Sequence, residues 1–177
     1  NEQIIVMKLA NANPPGDIRD QVSQKFAELV EEKTNGRVKV EVYSGGTLGD
    51  WRDTLEGLGI GVNEIVIESI GTLDAWAPLA NIDPVPYVFR DYDHFIKVFY
   101  GPVGREIMDE VGKQGGFKLF GPMYRGARVV TSKKPFEHVD EARGLKIRAP
   151  NIQMYIKTWQ ALGASPTPLA ITETFTA

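Results

Sequence analysis

The stretch that decides the fold runs from Tyr124 to Pro150 and reads YRGARVVTSKKPFEHVDEARGLKIRAP. Its pattern predicts an extended run over Ala127–Ser132, a short polar helix after Pro135, and a second extended run over Leu145–Arg148. Pro150 ends the second run, because a residue that precedes proline is disfavoured in the α-helical region. We therefore expect two neighbouring strands of an α/β fold, joined by a short helix.

Each extended run carries an arginine near one end, Arg128 in the first and Arg148 in the second. Adjacent strands lie about 4.8 Å apart, so both guanidinium groups can converge on one small anion. Arginine suits this role because it stays charged and its planar donors meet a carboxylate in a two-pronged way. The alternative is that each arginine is solvated or pairs with a nearby carboxylate. The available acids are Glu137, Asp140, Glu141 and Glu173.

Upstream of this stretch, the pattern predicts a β–α–β unit. A short buried strand over Ile4–Leu9 precedes a helix that Asp17 caps and that Asn35–Gly36 ends. A second strand over Val38–Val42 alternates apolar and charged residues, so we expect it to lie parallel to the first. The helix should bury an apolar face at helical spacing. That face consists of Ile18, Val22, Phe26, Leu29 and Val30.

Further elements follow in the same order of strand and helix. Asp50 is expected to cap a helix, Ile65–Ile67 is expected to form a third strand, and Asp91–Lys113 is expected to be helical with a break near its middle, at a Gly-Pro pair. Phe117–Phe120 is expected to begin a strand, and Asn151 is expected to cap the helix that follows the stretch quoted above. Alternation of strands and helices predicts an α/β fold class.

Composition excludes several classes of function. The chain has 177 residues, of which 42% are hydrophobic and 24% are charged, so it can bury a substantial core. The net charge of −3 argues against nucleic-acid binding, which calls for a basic surface. The sequence contains no cysteine, which excludes disulfides, thiolate metal sites and a cysteine nucleophile. No apolar run approaches the length of a membrane span, so direct membrane insertion is not expected.

Catalysis finds little support in the residues. The two histidines, His94 and His138, each lie beside acids on polar helix faces, and Ser132 has no paired base at a recognisable spacing. The glycines of SGGTLGD, residues 44–50, are not followed by the Lys-Ser/Thr pair of a phosphate-binding loop. The acids show no calcium-binding loop. We therefore expect no catalytic residues, no cofactor and no metal site.

Several long segments resemble the periplasmic solute-binding subunits of TRAP (tripartite ATP-independent periplasmic) transporters, the DctP-like family. They occur in the family's order and cover nearly the whole chain, which makes the resemblance more specific than a single short motif. The segments are FAELVEEKTNGRVKVEVYSGGTLGD (26–50), PYVFRDYDHF (86–95), GPVGREI (101–107), GLKIRAPN (144–151) and WQALGASPTPLAITETFTA (159–177).

The resemblance implies a two-lobed α/β architecture of the periplasmic-binding-protein, or Venus flytrap, kind. It implies a first lobe over residues 1–124 and the start of a second, incomplete lobe over residues 125–177. Family members continue well beyond the position of Ala177, and Thr172 begins what resembles another helix. We therefore expect the chain to be truncated at its C-terminal end.

The resemblance also implies a function. Proteins of this family capture a small organic acid, such as a sugar acid or a hydroxy acid, between two lobes in the periplasm. They deliver it to the TRAP transporter membrane subunits. The alternative is an enzyme, a hydrolase or an isomerase, that acts on an acidic sugar, and a third possibility is a structural fragment that binds no ligand.

Carried over residue by residue, the family pattern makes Arg148 the principal carboxylate clamp and Arg128 a second cation. It makes Asn151 and Glu68 hydrogen-bonding partners for polar groups of the ligand. Because Glu68 would repel a second carboxylate, the expected ligand has one carboxylate together with hydroxyl or amino groups.

Four further positions complete the expected site. Ser69 follows Glu68 at the carboxyl end of the third predicted strand, where ligands lie in open α/β sheets. Glu68 itself could equally be an exposed acid in a turn. Asn11 and Asp50 are weaker ligand-binding candidates. Many relatives place an aromatic residue where this chain has Ile171, so ring stacking on the ligand is in doubt there.

Overall fold

The computed structural model describes residues 3–177, which fall into two compact units. The first unit comprises the chain up to Glu68 together with Ala170–Ala177, and the second comprises Ser69–Leu169. The predicted lobe boundary after residue 124 lies inside the second unit. That boundary concerns the lobes of a complete two-lobed fold, and it stays a prediction.

The first unit is built on a parallel three-stranded sheet with the order β2-β1-β3. Its strands are β1 (Ile5–Ala10), β2 (Val38–Tyr43) and β3 (Ile65–Val66), and both neighbours of β1 run parallel to it. Helix α1 (Ile18–Lys33) connects β1 to β2, and helix α2 (Trp51–Ile60) connects β2 to β3. The predicted β–α–β unit with parallel strands is therefore confirmed.

The core of this unit lies where all three strands meet. Leu9 of β1 pairs with Val42 on one side and with Ile65 on the other, and Leu9 is fully buried. The first half of β1 was predicted to be buried, but Ile5 and Val6 are 57% and 50% exposed. The reason is that β3 pairs only with Leu9 and Ala10, so the first half of β1 has a neighbouring strand on one side alone.

Helix α1 begins and ends as predicted, but its apolar face is only partly buried. The Asp17 side chain accepts a hydrogen bond from the Arg19 N–H, and the helix ends before Asn35 and Gly36, both at positive φ. Ile18, expected on the buried face, is 46% exposed. Three polar residues are buried instead, because the first turn packs against the loops that follow the strands. They are Arg19, Asp20 and Ser23.

The second unit contains the helices α3 (Tyr92–Phe99), α4 (Pro102–Gly115) and α5 (Gln153–Ala161). It also contains a two-stranded parallel sheet of β4 (Lys146–Ala149) and β5 (Ser165–Pro168). Four short 3-10 turns occur along the described chain, three of them in this unit. They are Ile70–Leu73, Pro78–Ile82 and Val139–Ala142 in the second unit, and Ile171–Glu173 in the first. The predicted break near Gly101-Pro102 is confirmed, because α3 ends before it and α4 begins at Pro102.

Helices α3 and α4 meet at a very close approach. Gly104 of α4 faces the backbone of Phe99, and a Cβ atom built at Gly104 would lie 2.4 Å from Phe99 Cα and 2.5 Å from its carbonyl oxygen. Phe99 is buried and stacks with Phe89 and Phe95 at centroid distances of 5.3 and 4.8 Å. The absence of a side chain at Gly104 therefore sets how closely the two helices pack.

Three local predictions in this unit were wrong, and one strand was not predicted. Residues 117–120 and 127–132 belong to no strand in the described part of the chain, because an extended run becomes a strand only when a neighbour accepts its backbone hydrogen bonds. Asn151 does not cap α5, since Ile152 occupies the cap position. Strand β5 was not predicted, since its Pro166 and Pro168 are uncommon residues inside a strand.

Candidate functional site

In the first unit, three polar side chains meet in the loops that follow β1 and β3. The Arg19 guanidinium donates from Nη1 to Glu68 Oε2 at 2.5 Å and to Asn13 Oδ1 at 3.2 Å. The Arg19 and Glu68 side chains are only 10% and 8% exposed, so this is a buried ion pair. Glu68 is therefore not the exposed turn acid of the alternative prediction. Losing one partner of such a pair is strongly destabilising, because the other charge is left buried.

Asn11 adds a buried amide to the same loops. It is 1% exposed, its Oδ1 accepts from the Asn13 N–H at 3.0 Å, and its backbone N–H donates to the Tyr43 carbonyl at 2.9 Å. Its Nδ2 has no hydrogen-bond partner among residues 3–177. A buried donor without a partner costs free energy that a hydrogen-bond acceptor from outside the chain would recover.

Asp20 joins the loops that follow β1 and β2. Its carboxylate accepts hydrogen bonds from the Gly16 N–H at 2.8 Å, from the Ser44 hydroxyl at 2.5 Å and from Gln24 Nε2 at 3.4 Å. The pKa of the Asp20 carboxyl is lowered below its ordinary value, chiefly by the Gly16 N–H and then by Ser44, while burial acts in the opposite direction. The ionised form of Asp20 is therefore the form that the fold stabilises.

This lowered pKa makes the stability of the first unit sensitive to acid. A carboxyl whose folded pKa lies below its unfolded value of about 3.9 stabilises the protein above that value, and the contribution is lost as the pH falls through the folded pKa. We expect Asp20→Asn to lower the unfolding free energy at pH 7 by about 1–3 kcal/mol. We also expect the loss of stability below about pH 5 to be shallower than in the parent.

Urea unfolding between pH 7 and pH 2.5 or so measures both effects of Asp20→Asn. The matched control is Glu56→Gln on the exposed side of α2, which should leave the curve unchanged. Equal pH dependence in the parent and in Asp20→Asn would contradict the role given to Asp20.

Two other predicted site residues have structural partners of their own. Asp50 forms a capping box at the start of α2: its Oδ1 accepts from the Arg52 and Asp53 N–H groups, while Asp53 Oδ2 accepts from the Asp50 N–H. The prediction of a helix cap at Asp50 is thus confirmed. The Ser69 hydroxyl, in the second unit, donates to the Asp83 carboxylate. Glu68 and Ser69 are adjacent in sequence, but they belong to different compact units.

In the second unit, Arg148 lies on β4 and is partly buried. Its Nε and Nη2 donate to the Leu169 carbonyl at 2.9 and 2.6 Å, which fixes the plane of the guanidinium. Arg128 lies in a segment without regular secondary structure, and its guanidinium carbon is 4.3 Å from the centre of the Tyr155 ring, a cation–π contact. Both arginines are therefore oriented by neighbours that carry no negative charge.

Arg128 also acts on Arg148. The pKa of Arg148 is lowered by its burial and then by the nearby charge of Arg128. Neither arginine forms an ion pair with an acid in residues 3–177, since the described ion pairs involve other cations. Asp140 instead lies 3.7 Å from Arg143, and Glu141 accepts from backbone N–H groups. Two interacting cations without an acidic partner are suited to hold an anion.

The remaining predicted site residues are Asn151 and Ile171. Asn151 is exposed between β4 and α5, and Ile171 begins a 3-10 turn in the first unit with 44% of its surface exposed. The sequence reasoning missed Arg19, Asp20 and the ring of Tyr155. A signal for the first two was present, because they occupy the first turn of a helix that directly follows a strand, and that turn lies near the carboxyl ends of parallel strands.

No helix in residues 3–177 combines the length and the apolar character that a membrane crossing needs.

A family model described as DctP, bacterial extracellular solute-binding protein, family 7, matches residues 9–177. A solute-binding protein of Roseobacter denitrificans is 34% identical over 152 residues, which are 86% of this chain and 46% of that protein. The sialic acid-binding periplasmic protein of Vibrio cholerae is 29% identical over 171 residues, which are 97% of this chain and 53% of that protein.

Solved structures show the same relationship. A TRAP periplasmic solute-binding protein of Pseudomonas putida F1 with bound D-glucuronate has a TM-score of 0.91 and 28% identity, over 98% of this chain and 57% of that one. A second TRAP periplasmic solute-binding protein, from Roseobacter denitrificans with bound L-galactonate, has a TM-score of 0.89 and 31% identity, over 99% of this chain and 58% of that one. The chain spans about half the length of the relatives it matches.

These matches confirm the resemblance carried by the sequence segments and the periplasmic-binding-protein fold class. The family consists of solute-binding proteins and not of enzymes, which supports the solute-binding interpretation and not the hydrolase or isomerase alternative. This chain belongs to the DctP family of bacterial extracellular solute-binding proteins, family 7.

Proposed function

We propose that this chain is part of a periplasmic solute-binding protein that captures a small organic acid and delivers it to the membrane subunits of a TRAP transporter. The observation that carries the proposal is the pair formed by Arg148 and Arg128. The charge of Arg128 acts on Arg148, and neither arginine has an ion-pair partner among the described residues. A ligand carboxylate would relieve this repulsion and would accept two-pronged hydrogen bonds from a guanidinium.

In the second unit, Arg148 is the principal clamp and Arg128 is the second cation. Arg148 already uses Nε and Nη2 on the Leu169 carbonyl, so its position is set before a ligand arrives. The Tyr155 ring supports Arg128 from one face. A binding group held in place beforehand loses less conformational entropy on binding, which favours affinity. Asn151, exposed beside β4, is the further hydrogen-bonding candidate in this unit.

The ligand class that we propose is a sugar acid, with one carboxylate and several hydroxyl groups. The relatives from P. putida and R. denitrificans were solved with D-glucuronate and L-galactonate, which have this chemistry. In the first unit of this chain, Asn11 offers a buried amide donor and Glu68 offers carboxylate oxygens, both suited to hydroxyl groups. Asp50 and Ser69 are the weaker candidates, because each already has a partner within the chain.

The ion pair between Arg19 and Glu68 changes one argument about the ligand. Glu68 alone would repel a second carboxylate, but the pair carries no net charge. Repulsion by Glu68 is therefore a weak reason to exclude dicarboxylates. The preference for sugar acids rests instead on hydrogen bonds that a plain dicarboxylate cannot make, since buried polar groups left without partners lower affinity.

A thermal-shift screen of the full-length protein tests this proposal. We expect D-glucuronate, L-galactonate or D-galacturonate to raise the melting temperature, because a ligand at 100 times its Kd stabilises the folded state by about 2.7 kcal/mol. D-glucose, which lacks the carboxylate, and acetate, which lacks the hydroxyls, are the matched controls. A response to D-glucose as strong as the response to D-glucuronate would contradict a carboxylate clamp.

A further inference from the structure

Arg19 connects the loops that follow β1 and β3 in the first unit, as Asp20 connects those that follow β1 and β2. Its Nη1 donates to Asn13, which follows β1, and to Glu68, which follows β3. The arginine itself is anchored from the other side, because its backbone N–H donates to Asp17 and its carbonyl accepts from the buried Ser23 hydroxyl at 2.7 Å. The position of the Glu68 carboxylate is therefore tied to the first turn of α1.

Burial makes the ion pair between Arg19 and Glu68 energetically important. A carboxylate that is 8% exposed is poorly hydrated, and it stays ionised only where a cation or several donors replace the lost water. Arg19 is a cation that forms an ion pair with Glu68, and it is itself 10% exposed. The pair thus keeps a charged acceptor in a place where an isolated carboxylate would be unfavourable.

We propose that Arg19 is a positioning residue for ligand binding, which holds the Glu68 carboxylate ionised and in a fixed orientation as an acceptor for a ligand hydroxyl group. This inference rests on the proposed function, in which Glu68 binds a hydroxyl of a sugar acid. In this proposal Arg19 acts on the ligand through Glu68. A residue that acts only through another has an effect that disappears once that other residue is removed.

A double-mutant cycle tests this property. The variants are Arg19→Met, which keeps the length of the side chain without its charge, Glu68→Gln, which keeps the shape of the carboxylate, and the two combined. Titration calorimetry measures the affinity of each variant for D-glucuronate, L-galactonate or D-galacturonate, whichever binds the parent most tightly. Arg19→Lys is the conservative variant, since it restores the positive charge but not the planar donors.

We expect Arg19→Met alone to weaken binding about tenfold or more, and to weaken it by less than about twofold when Glu68 is already glutamine. Arg19→Lys should recover part of the lost affinity. The combined variant has no unpaired buried charge, so it remains measurable even if Arg19→Met folds poorly. In that case Arg19→Lys is compared with the parent, in both the Glu68 and the Glu68→Gln backgrounds.

Additive losses of affinity in the cycle would overturn the inference, because they would mean that Arg19 supports the fold without acting through Glu68. That outcome leaves the proposed function intact as long as the parent binds a sugar acid and Arg148→Ala does not. A parent that binds none of the three sugar acids would overturn both.

Discussion

Replacing Arg148 with alanine is expected to remove most of the affinity for a carboxylate ligand. Loss of a charged hydrogen-bonding partner from a desolvated contact costs about 2–5 kcal/mol, much of it because the ligand charge is left unpaired. Arg148→Lys should lose nearly as much, since an ammonium group cannot present two parallel donors. Titration calorimetry with a sugar acid that binds the parent measures both variants.

The matched control for this prediction is Arg143→Ala in the same unit. Arg143 is an exposed arginine whose 3.7 Å pair with Asp140 is exposed on both sides, so its removal should leave ligand affinity unchanged. Arg148 also donates to the Leu169 carbonyl, so the melting temperature of each variant has to be measured without ligand. If a folded Arg148→Ala protein binds the sugar acid with parental affinity, Arg148 is not the principal carboxylate-binding residue.

Gly104→Ala is expected to destabilise the second unit strongly. The new methyl group would lie 2.4 Å from Phe99 Cα and 2.5 Å from the Phe99 carbonyl oxygen, and backbone atoms cannot move aside as a flexible side chain does. Helices α3 and α4 would have to separate, which disturbs the packing of Phe99 on Phe89 and Phe95. We expect a loss of about 2–3 kcal/mol in the free energy of unfolding.

Gly59→Ala is the control, because Gly59 is also a helical glycine, but beyond its chain neighbours and the backbone of its own helix no atom lies within 4 Å of the position that a methyl group would take. Alanine is the better helix former by about 0.5–1 kcal/mol, so this variant should be slightly more stable than the parent. Urea unfolding of both variants gives the comparison. Equal effects of the two substitutions would show that helix propensity and not the contact with Phe99 decides the outcome.

Local signals in the sequence were sufficient for most of the first unit. Alternating apolar residues predicted β2, and Asp17 and Asp50 predicted the starts of α1 and α2, because these effects depend on residues within one turn of the cap. The same reasoning failed for the extended runs at 117–120 and 127–132. Whether such a run becomes a strand depends on a partner that is distant in sequence, and no local pattern reports that partner.

Several residues of the candidate site were predictable from the sequence, but their contacts with each other were not. The arginines were found from their places near the ends of extended runs, and Glu68 was found from its place after β3. The pairing of Glu68 with Arg19, 49 residues away in sequence, depends on how β1 and β3 align. For the same reason, the apolar spacing of α1 did not reveal that its first turn buries charged residues.

The prolines of β5 have a consequence for how the small sheet of the second unit can grow. Pro166 and Pro168 alternate with Ser165 and Thr167, so their missing N–H groups all fall on the side of β5 that faces away from β4. That edge presents carbonyl acceptors and no donors, which protects it against pairing with another chain. Among the described residues β4 pairs with β5 alone. Any additional strand, whether from the same polypeptide or from a neighbour during aggregation, is therefore directed to the opposite edge, along β4.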